Sequence, residues 1–261
     1  MTSFKLTDDQ RSRYERDGFV IVPNFLDEEE TALLLEIAKA DRRLMEEASD
    51  RKDAEGNISK LTLRNNLSED IYSAIVRSER LVNSMERLLG GEVYHYHHKM
   101  MLKEPKIGGA WEWHQDYGYW YDNGCLFPLM ASCMIAVDRA SRENGCLQVL
   151  AGSHAMGRIE HGTTGDQTWA DLERVEKAKQ RLQLVYAELD PGSALFFHCN
   201  LLHRSDMNRS KNPRWTLICC YNAARNDPYK QHNHPCYSFL EKWPDSRIKE
   251  IGHRQAAALR D

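Results

Sequence analysis

A chain of 261 residues with 41% apolar and 28% charged side chains is long enough for one large domain or two small ones with an ordinary core. Thirty-five Lys and Arg against 39 Asp and Glu leave a net charge of −4, without the basic excess of a nucleic-acid binder. No apolar run approaches the ~20 residues of a membrane helix, and residues 1–10 carry Lys5, Asp8 and Asp9 where a secretory signal would be apolar. The seven cysteines include no Cys-x-x-Cys pair, so a cytoplasmic protein with buried, reduced thiols is expected, and neither a membrane nor a nucleic-acid partner.

The first ninety residues read mostly as helix. Thr7 followed by Gln10 is a capping box opening a helix to Arg16, and residues 18–22 form a β-branched run closed by Pro23. Asp27 and Glu30 repeat the box before Leu33, Leu34, Ile37 and Ala38, predicting a helix to about Glu47. Residues 48–60 are polar and read as a loop or hairpin tip. Short helices follow at 69–77 and 79–89, the second stopped by Gly90-Gly91. From Glu92 strand-length runs alternate with turn signals, at 92–104, 111–120, 129–138, 146–150, 183–189, 194–199 and 214–222. Between them, 168–181 shows Leu172, Val175 and Ala178 at helical spacing and reads as an inserted surface helix. The expectation is one domain, mainly β with flanking helices. It comprises a mostly helical part at 1–91, a β core at 92–225 and a rim segment at 226–261.

The chemistry concentrates in Trp111-Glu112-Trp113-His114-Gln115-Asp116. In a strand, residues i and i+2 share a face, so His114 and Asp116 would point together. A third ligand could be His198 or His203; their odd separation puts them on opposite faces of a regular strand, so one of them at most faces the ion. Two imidazoles and one carboxylate with open positions opposite form the facial triad of non-heme Fe(II) oxygenases. The same ligands also suit a zinc-dependent hydrolase or isomerase, or a vestigial site in a non-catalytic jelly-roll binding protein. Ser205 lies two places after His203 and Arg214 eleven after it, and an Arg there can offer its planar fork to a carboxylate.

These residues resemble the phytanoyl-CoA dioxygenase-like family of Fe(II)/2-oxoglutarate oxygenases, whose members include ectoine hydroxylase. The likeness runs from Arg16-Asp17-Gly18-Phe19 through Trp113-His114-Gln115-Asp116, Glu143-Asn144-Gly145 and Gly152-Ser153-His154 to Pro191-Gly192, His203 and Arg214. It implies a double-stranded β-helix (jelly-roll or cupin-like) core buttressed by the N-terminal helices. It further implies Fe(II) on His114, Asp116 and His203, and 2-oxoglutarate held by Arg214, Ser205 and Met134. O₂ as oxidant would hydroxylate an unactivated C–H bond of a small molecule, releasing succinate and CO₂. Halogenating relatives carry a small residue in place of the carboxylate, so Asp116 implies hydroxylation. His198 is then a histidine bonded to backbone, and His154 a turn residue. The substrate pocket is expected among His95, Lys99, Trp111, Tyr117 and Trp120. Trp120 stands where ectoine hydroxylase also has Trp, but the following residues, 121–125, depart from that enzyme's acidic segment.

Overall fold

The computed structural model describes residues 4–53, 55–164 and 167–260. Both capping boxes form: the Thr7 hydroxyl accepts from the Gln10 N–H at 3.1 Å to open helix α1 (Asp8–Asp17), and Asp27 with Glu30 opens α2 (Glu28–Ala40). Gly18, at φ 80°, turns the chain out of α1 into strand β1 (Phe19–Val22). The second helix stops short of residue 47. Asp41 leaves helical geometry and its carboxylate caps the Leu44 N–H, starting a separate turn, α3 (Arg42–Glu46). The polar stretch after it is a hairpin of β2 (Ser49–Lys52) and β3 (Ile58–Arg64), its connection tied by Asp53 accepting from the Glu55 and Asn57 N–H groups.

Helices α4 (Ile71–Arg77) and α5 (Glu79–Leu89) follow, with Gly90 left-handed at the end of α5. Then come β4 (Val93–Lys103), β5 (Trp111–His114), a single turn α6 (Tyr117–Trp120), β6 (Met130–Ala136) and β7 (Leu147–Leu150). Residues 168–181 are not one helix. Strands β8 (His161–Thr164) and β9 (Gln167–Ala170) pair, and only α7 (Leu172–Lys179) is helical. The core closes with β10 (Leu184–Ala187), β11 (Ala194–His198), β12 (His203–Ser205) and β13 (Arg214–Ala223). The tail does not simply lie over the rim. Ile248, Ile251 and Ala256 recur at helical spacing, and α8 (Ser246–Arg260) packs them against α2 and α4.

Seven strands form one antiparallel sheet in the order β1-β11-β6-β13-β4-β3-β2, and four form a second, β10-β7-β12-β5. Alternation divides the larger sheet cleanly. Cys133, Ile135, Leu217, Cys219, Met100 and Leu102 face the helices and share one apolar core with Leu34, Ile37, Ile75, Met85 and Ile251. Met134, Ala136, Leu195 and Phe197 face inward and meet Leu147, Val149 and Ala187 of the smaller sheet. The result is a mainly β, double-stranded β-helix with a helical buttress on one side. No helix among the described residues is long and apolar enough to cross a membrane.

Candidate metal centre

The residue pair His114 and Asp116 comes together, but not by strand alternation. Strand β5 ends at His114, short of the run to residue 120 that its composition suggests. Asp116 has helical backbone (φ −57°, ψ −37°), with the Trp120 N–H donating to its carbonyl at 3.2 Å and the Tyr117 N–H donating to the Cys199 carbonyl at 3.0 Å. This turn delivers the carboxylate. His203 opens β12 directly opposite His114 in the ladder, the two ring centroids 4.1 Å apart.

Ligand atoms of His114, Asp116 and His203 lie within 4.8 Å of one another, and all three residues are buried. The His114 Nδ1–H donates to the Glu112 carbonyl at 2.7 Å and the His203 Nδ1–H to the Leu201 carbonyl at 2.9 Å. With Nδ1 so committed, each Nε2 carries its lone pair, 3.7 and 3.8 Å from Asp116 Oδ1. Burial, with each imidazole's neighbours, holds both rings below their ordinary pKa and therefore neutral, the form that ligates a metal. Burial pushes the Asp116 carboxyl up, but His203, Lys99, His114 and the Tyr119 hydroxyl outweigh it and keep it ionised. Tyr119 donates to Asp116 Oδ1 at 2.7 Å and Ser132 to Oδ2 at 3.2 Å, fixing the carboxylate's plane. The donor set, protonation and orientation suit a divalent first-row metal held on one face.

His198 lies outside this cluster. It follows Ala194 and Phe196 on the helix-facing side of β11, beside Tyr14, and its Nδ1 accepts from the Asn200 N–H at 3.0 Å. Phe197, one residue earlier, faces inward and touches the His203 ring at 5.1 Å. His154 sits in a 3₁₀ turn against the Glu15 carbonyl.

Beyond the triad, the inner face of the large sheet becomes cationic. Arg214 and Lys103 are cross-strand partners, each less than 4% exposed. The Lys103 ammonium donates to Ser205 Oγ at 2.8 Å and to the Asp206 carbonyl. Burial and the neighbouring Arg214 push Lys103 well down, and burial brings Arg214 down to about 10. Arg214 Nε and Thr216 Oγ1, two residues apart on this face, are buried and find no hydrogen-bond partner among the described residues. Met134 lies in the next inner row, opposite Ile218. Lys103 and Thr216 were not singled out in the sequence, although His97, Lys99, Met101 and Lys103 alternate on one strand face.

The other side of the triad holds a cavity of about 180 Å³, lined by His97, Lys99, Trp111, Tyr119, Trp120 and His234 among others. Of the expected pocket residues, Lys99, Trp111 and Trp120 are there and two are not. A bulge in the β4–β13 ladder skips Tyr96, so His95 pairs with Tyr221 on the helix-facing side and its Nε2 meets His98 Nδ1 at 3.0 Å. His97 takes the inward place. Tyr117 turns away to donate to the Cys125 carbonyl at 2.9 Å, and Tyr119, two residues on, lines the cavity instead. His234 comes from the tail and could not be placed by local pattern. A larger depression of about 1100 Å³ runs between α3, β3 and α8, remote from the triad and without its ligands; the chemistry marks the smaller cavity.

A family model described as phytanoyl-CoA dioxygenase matches residues 14–216. An L-proline trans-4-hydroxylase from Streptomyces griseoviridis is 30% identical over 237 residues, covering 84% of this chain and 88% of that protein. An ectoine dioxygenase from Bordetella parapertussis is 29% identical over 238 residues, covering 85% and 77%. In shape, the chain is similar to EctD from S. alaskensis solved with 2-oxoglutarate and 5-hydroxyectoine (TM-score 0.74, 22% identity, 92% of this chain and 89% of that one). It is also similar to the epimerase SnoN (TM-score 0.74, 21% identity, 90% and 96%).

Proposed function

This chain belongs to the phytanoyl-CoA dioxygenase family, and from that premise we propose that it hydroxylates an unactivated C–H bond of a small molecule, with release of succinate and CO₂. Membership makes it an iron- and 2-oxoglutarate-dependent dioxygenase. Ferrous iron with 2-oxoglutarate and O₂, when bound, supplies the oxidising chemistry.

The protein's own residues do the positioning. His114, Asp116 and His203 would hold the metal by two Nε2 lone pairs and one carboxylate, leaving the opposite positions to cosubstrate and oxidant. Glu112 and Leu201 carbonyls fix the imidazole tautomers, and Tyr119 with Ser132 fixes the carboxylate. Arg214, with Ser205, would grip the far carboxylate of 2-oxoglutarate, and Thr216 and Lys103 stand ready on the same face. A carboxylate between Arg214 and Lys103 would add counter-charge to that of Asp206, Asp53 and Asp138, which already act on these two buried groups. Met134 and Ile218 would form the floor beneath it. On the other side, Trp111, Tyr119 and Trp120 wall the substrate space and keep bulk water from the reacting atoms.

The observation that carries this reading is a neutral-imidazole triad built on the smaller sheet together with a buried arginine, its Nε unpartnered among the described residues, on the inner face of the larger sheet. A zinc hydrolase would leave that arginine without a task. The cavity of about 180 Å³ is below the ~300 Å³ at which sites for drug-sized ligands begin, which favours a compact free molecule over an acyl thioester. L-proline and ectoine, named for the curated relatives, are therefore the first substrates to assay. The test is aerobic incubation with Fe(II), 2-oxoglutarate and a metabolite panel, following succinate and product mass. Succinate formed together with a hydroxylated product supports the reading; a panel-wide absence of 2-oxoglutarate consumption contradicts it.

A further inference from the structure

Strands β8 and β9 have no task in the function proposed above, yet both bond to the segment that carries His114 and Asp116. Gln167 of β9 accepts from the Glu112 N–H at 3.1 Å and donates to the Ala110 carbonyl at 3.0 Å. It thereby fixes the residue whose own carbonyl orients the His114 ring. His161, the first residue of β8, accepts on Nε2 from the Gln115 N–H at 2.9 Å. The paired strands therefore hold the chain on both sides of His114, at Glu112 and at Gln115.

Gln115 stands between two members of the triad, where β5 ends and the turn α6 begins. Its N–H lies past the end of the β5 ladder and ahead of the first helical bond, where a chain leaves donors without local partners. The side chain is fully buried and bonded elsewhere. Its carboxamide donates to the Gly157 and Asn200 carbonyls at 2.7 and 2.8 Å and accepts from the Ile159 N–H at 2.9 Å. The backbone N–H depends on His161, and a buried N–H left unpaired is costly. The His161 Nδ1–H donates to the Ile159 carbonyl at 2.8 Å, which leaves the lone pair on Nε2. His114 and His203 have the same arrangement, each with Nδ1 bonded to the carbonyl two residues before it. In His161 the lone pair meets a backbone N–H instead of the shared ligand position. Gly118 completes the fit, because a Cβ there would overlap the His161 ring.

Resting on the reading of His114, Asp116 and His203 as the metal site, we propose that His161 is a positioning residue for that site. Its Nε2 holds the Gln115 N–H and so sets the angle between the strand that carries His114 and the turn that carries Asp116. One residue separates these two ligands, so a backbone rotation at Gln115 carries the carboxylate away from the His114 Nε2. Tyr119 and Ser132 fix the plane of the carboxylate, and His161 fixes the backbone beneath it. His161 is not one of the three residues whose ligand atoms converge.

The test pairs His161→Phe, which keeps a ring against Gly118 but has no acceptor, with His161→Gln, whose side-chain oxygen falls near the place of Nε2. In the metal-free protein, the Gln115 amide followed by NMR hydrogen exchange should exchange about tenfold faster in His161→Phe, the scale of one lost hydrogen bond. It should return close to the native rate in His161→Gln. Fe(II) affinity, from anaerobic titration with 2-oxoglutarate present, should fall about tenfold in His161→Phe and recover to within about threefold of native in His161→Gln, the lower end of the range for groups that orient a ligand. A ring that serves packing alone would leave Gln115 exchange and iron affinity unmoved in the folded His161→Phe protein, or would damage both variants alike. Either outcome overturns the inference. Should His161→Phe not fold, Gly118→Ala decides. Alanine favours a helical turn, yet its Cβ displaces the ring, so the same two losses are expected and their absence overturns the inference. The exchange measurement needs no metal. A native protein without the visible Fe(II)–2-oxoglutarate band therefore strikes the reading of the site, whereas unchanged Gln115 exchange strikes the role of His161.

Discussion

The two faces of the seven-stranded sheet are built from the same strands and differ in almost every other respect. On the helix side, alternate residues of β6, β13 and β4 are Cys133, Ile135, Leu217, Cys219, Met100 and Leu102, sealed against α2, α4, α5 and α8. On the inner side the intervening residues include Ser132, Thr216, Arg214, His97, Lys99 and Lys103. The outer face is largely apolar and closed by its own packing, His98 Nε2 being a buried unpartnered atom there among the described residues. The inner face carries buried polar atoms without partners, and each unpartnered group is a place where a ligand would lower the free energy. The outer face holds the fold, and the inner face performs the chemistry at some cost to stability.

Substitutions can separate these roles. The largest effect is expected from Asp116→Ala, which removes the carboxylate of the triad and should abolish succinate formation; retained turnover would take Asp116 out of the ligand set. Next, Arg214→Met should weaken 2-oxoglutarate by about 30-fold or more, the scale for truncating one partner of a buried charge pair, while the Michaelis constant of the prime substrate moves little. Its melting temperature should not fall, because a buried charge is replaced by an apolar chain of similar length. Ile135→Ala should do the reverse. It opens a cavity in the outer core and lowers unfolding free energy by about 2–5 kcal/mol, with cosubstrate affinity unchanged. Tyr119→Phe, which loses the bond to Asp116 Oδ1, should lower iron affinity about 10- to 100-fold, as for other groups that orient a ligand.

The smallest effect concerns His198 on the helix side, held neutral by burial with a pKa lowered to about 4. Its ordinary value is about 6.5, so the unfolded chain binds a proton between pH 6.5 and 4 that the folded chain does not. Its contribution to stability is complete above about 6.5 and is lost as pH falls towards 4. Urea unfolding at pH 7 and pH 5 should show the drop, and His198→Asn should narrow it by about 1–2 kcal/mol at about 1.4 kcal/mol per pKa unit, discounted for partial exposure.

The same division explains what could be read in advance. Capping boxes at Thr7 and Asp27 and the apolar runs at 130–136 and 194–198 are local signals, and the corresponding helices and strands are in place. The triad residues could be picked from residue type and spacing, although the geometric reason differs. The turn at Asp116 depends on a bond from Tyr117 to Cys199, over eighty residues away, and no Pro or left-handed Gly announces it. His95 leaves the face it would share with His97 and Lys99 because of a bulge that exists only once β4 pairs with β13. His234 reaches the cavity from a tail segment whose path is set by tertiary packing, and Lys103 needed the register with Arg214 before its neighbours were evident. Local periodicity finds elements; only pairing decides which side of them meets the ligand.

The most direct measurement is an anaerobic titration of Fe(II) into the protein with 2-oxoglutarate present, followed in the visible region. A weak charge-transfer band that saturates at one iron per chain, is absent in His203→Ala, and needs far more 2-oxoglutarate in Arg214→Met is the predicted result. A native protein that gives no band, or one whose band survives loss of His203, would contradict the shared ferrous site.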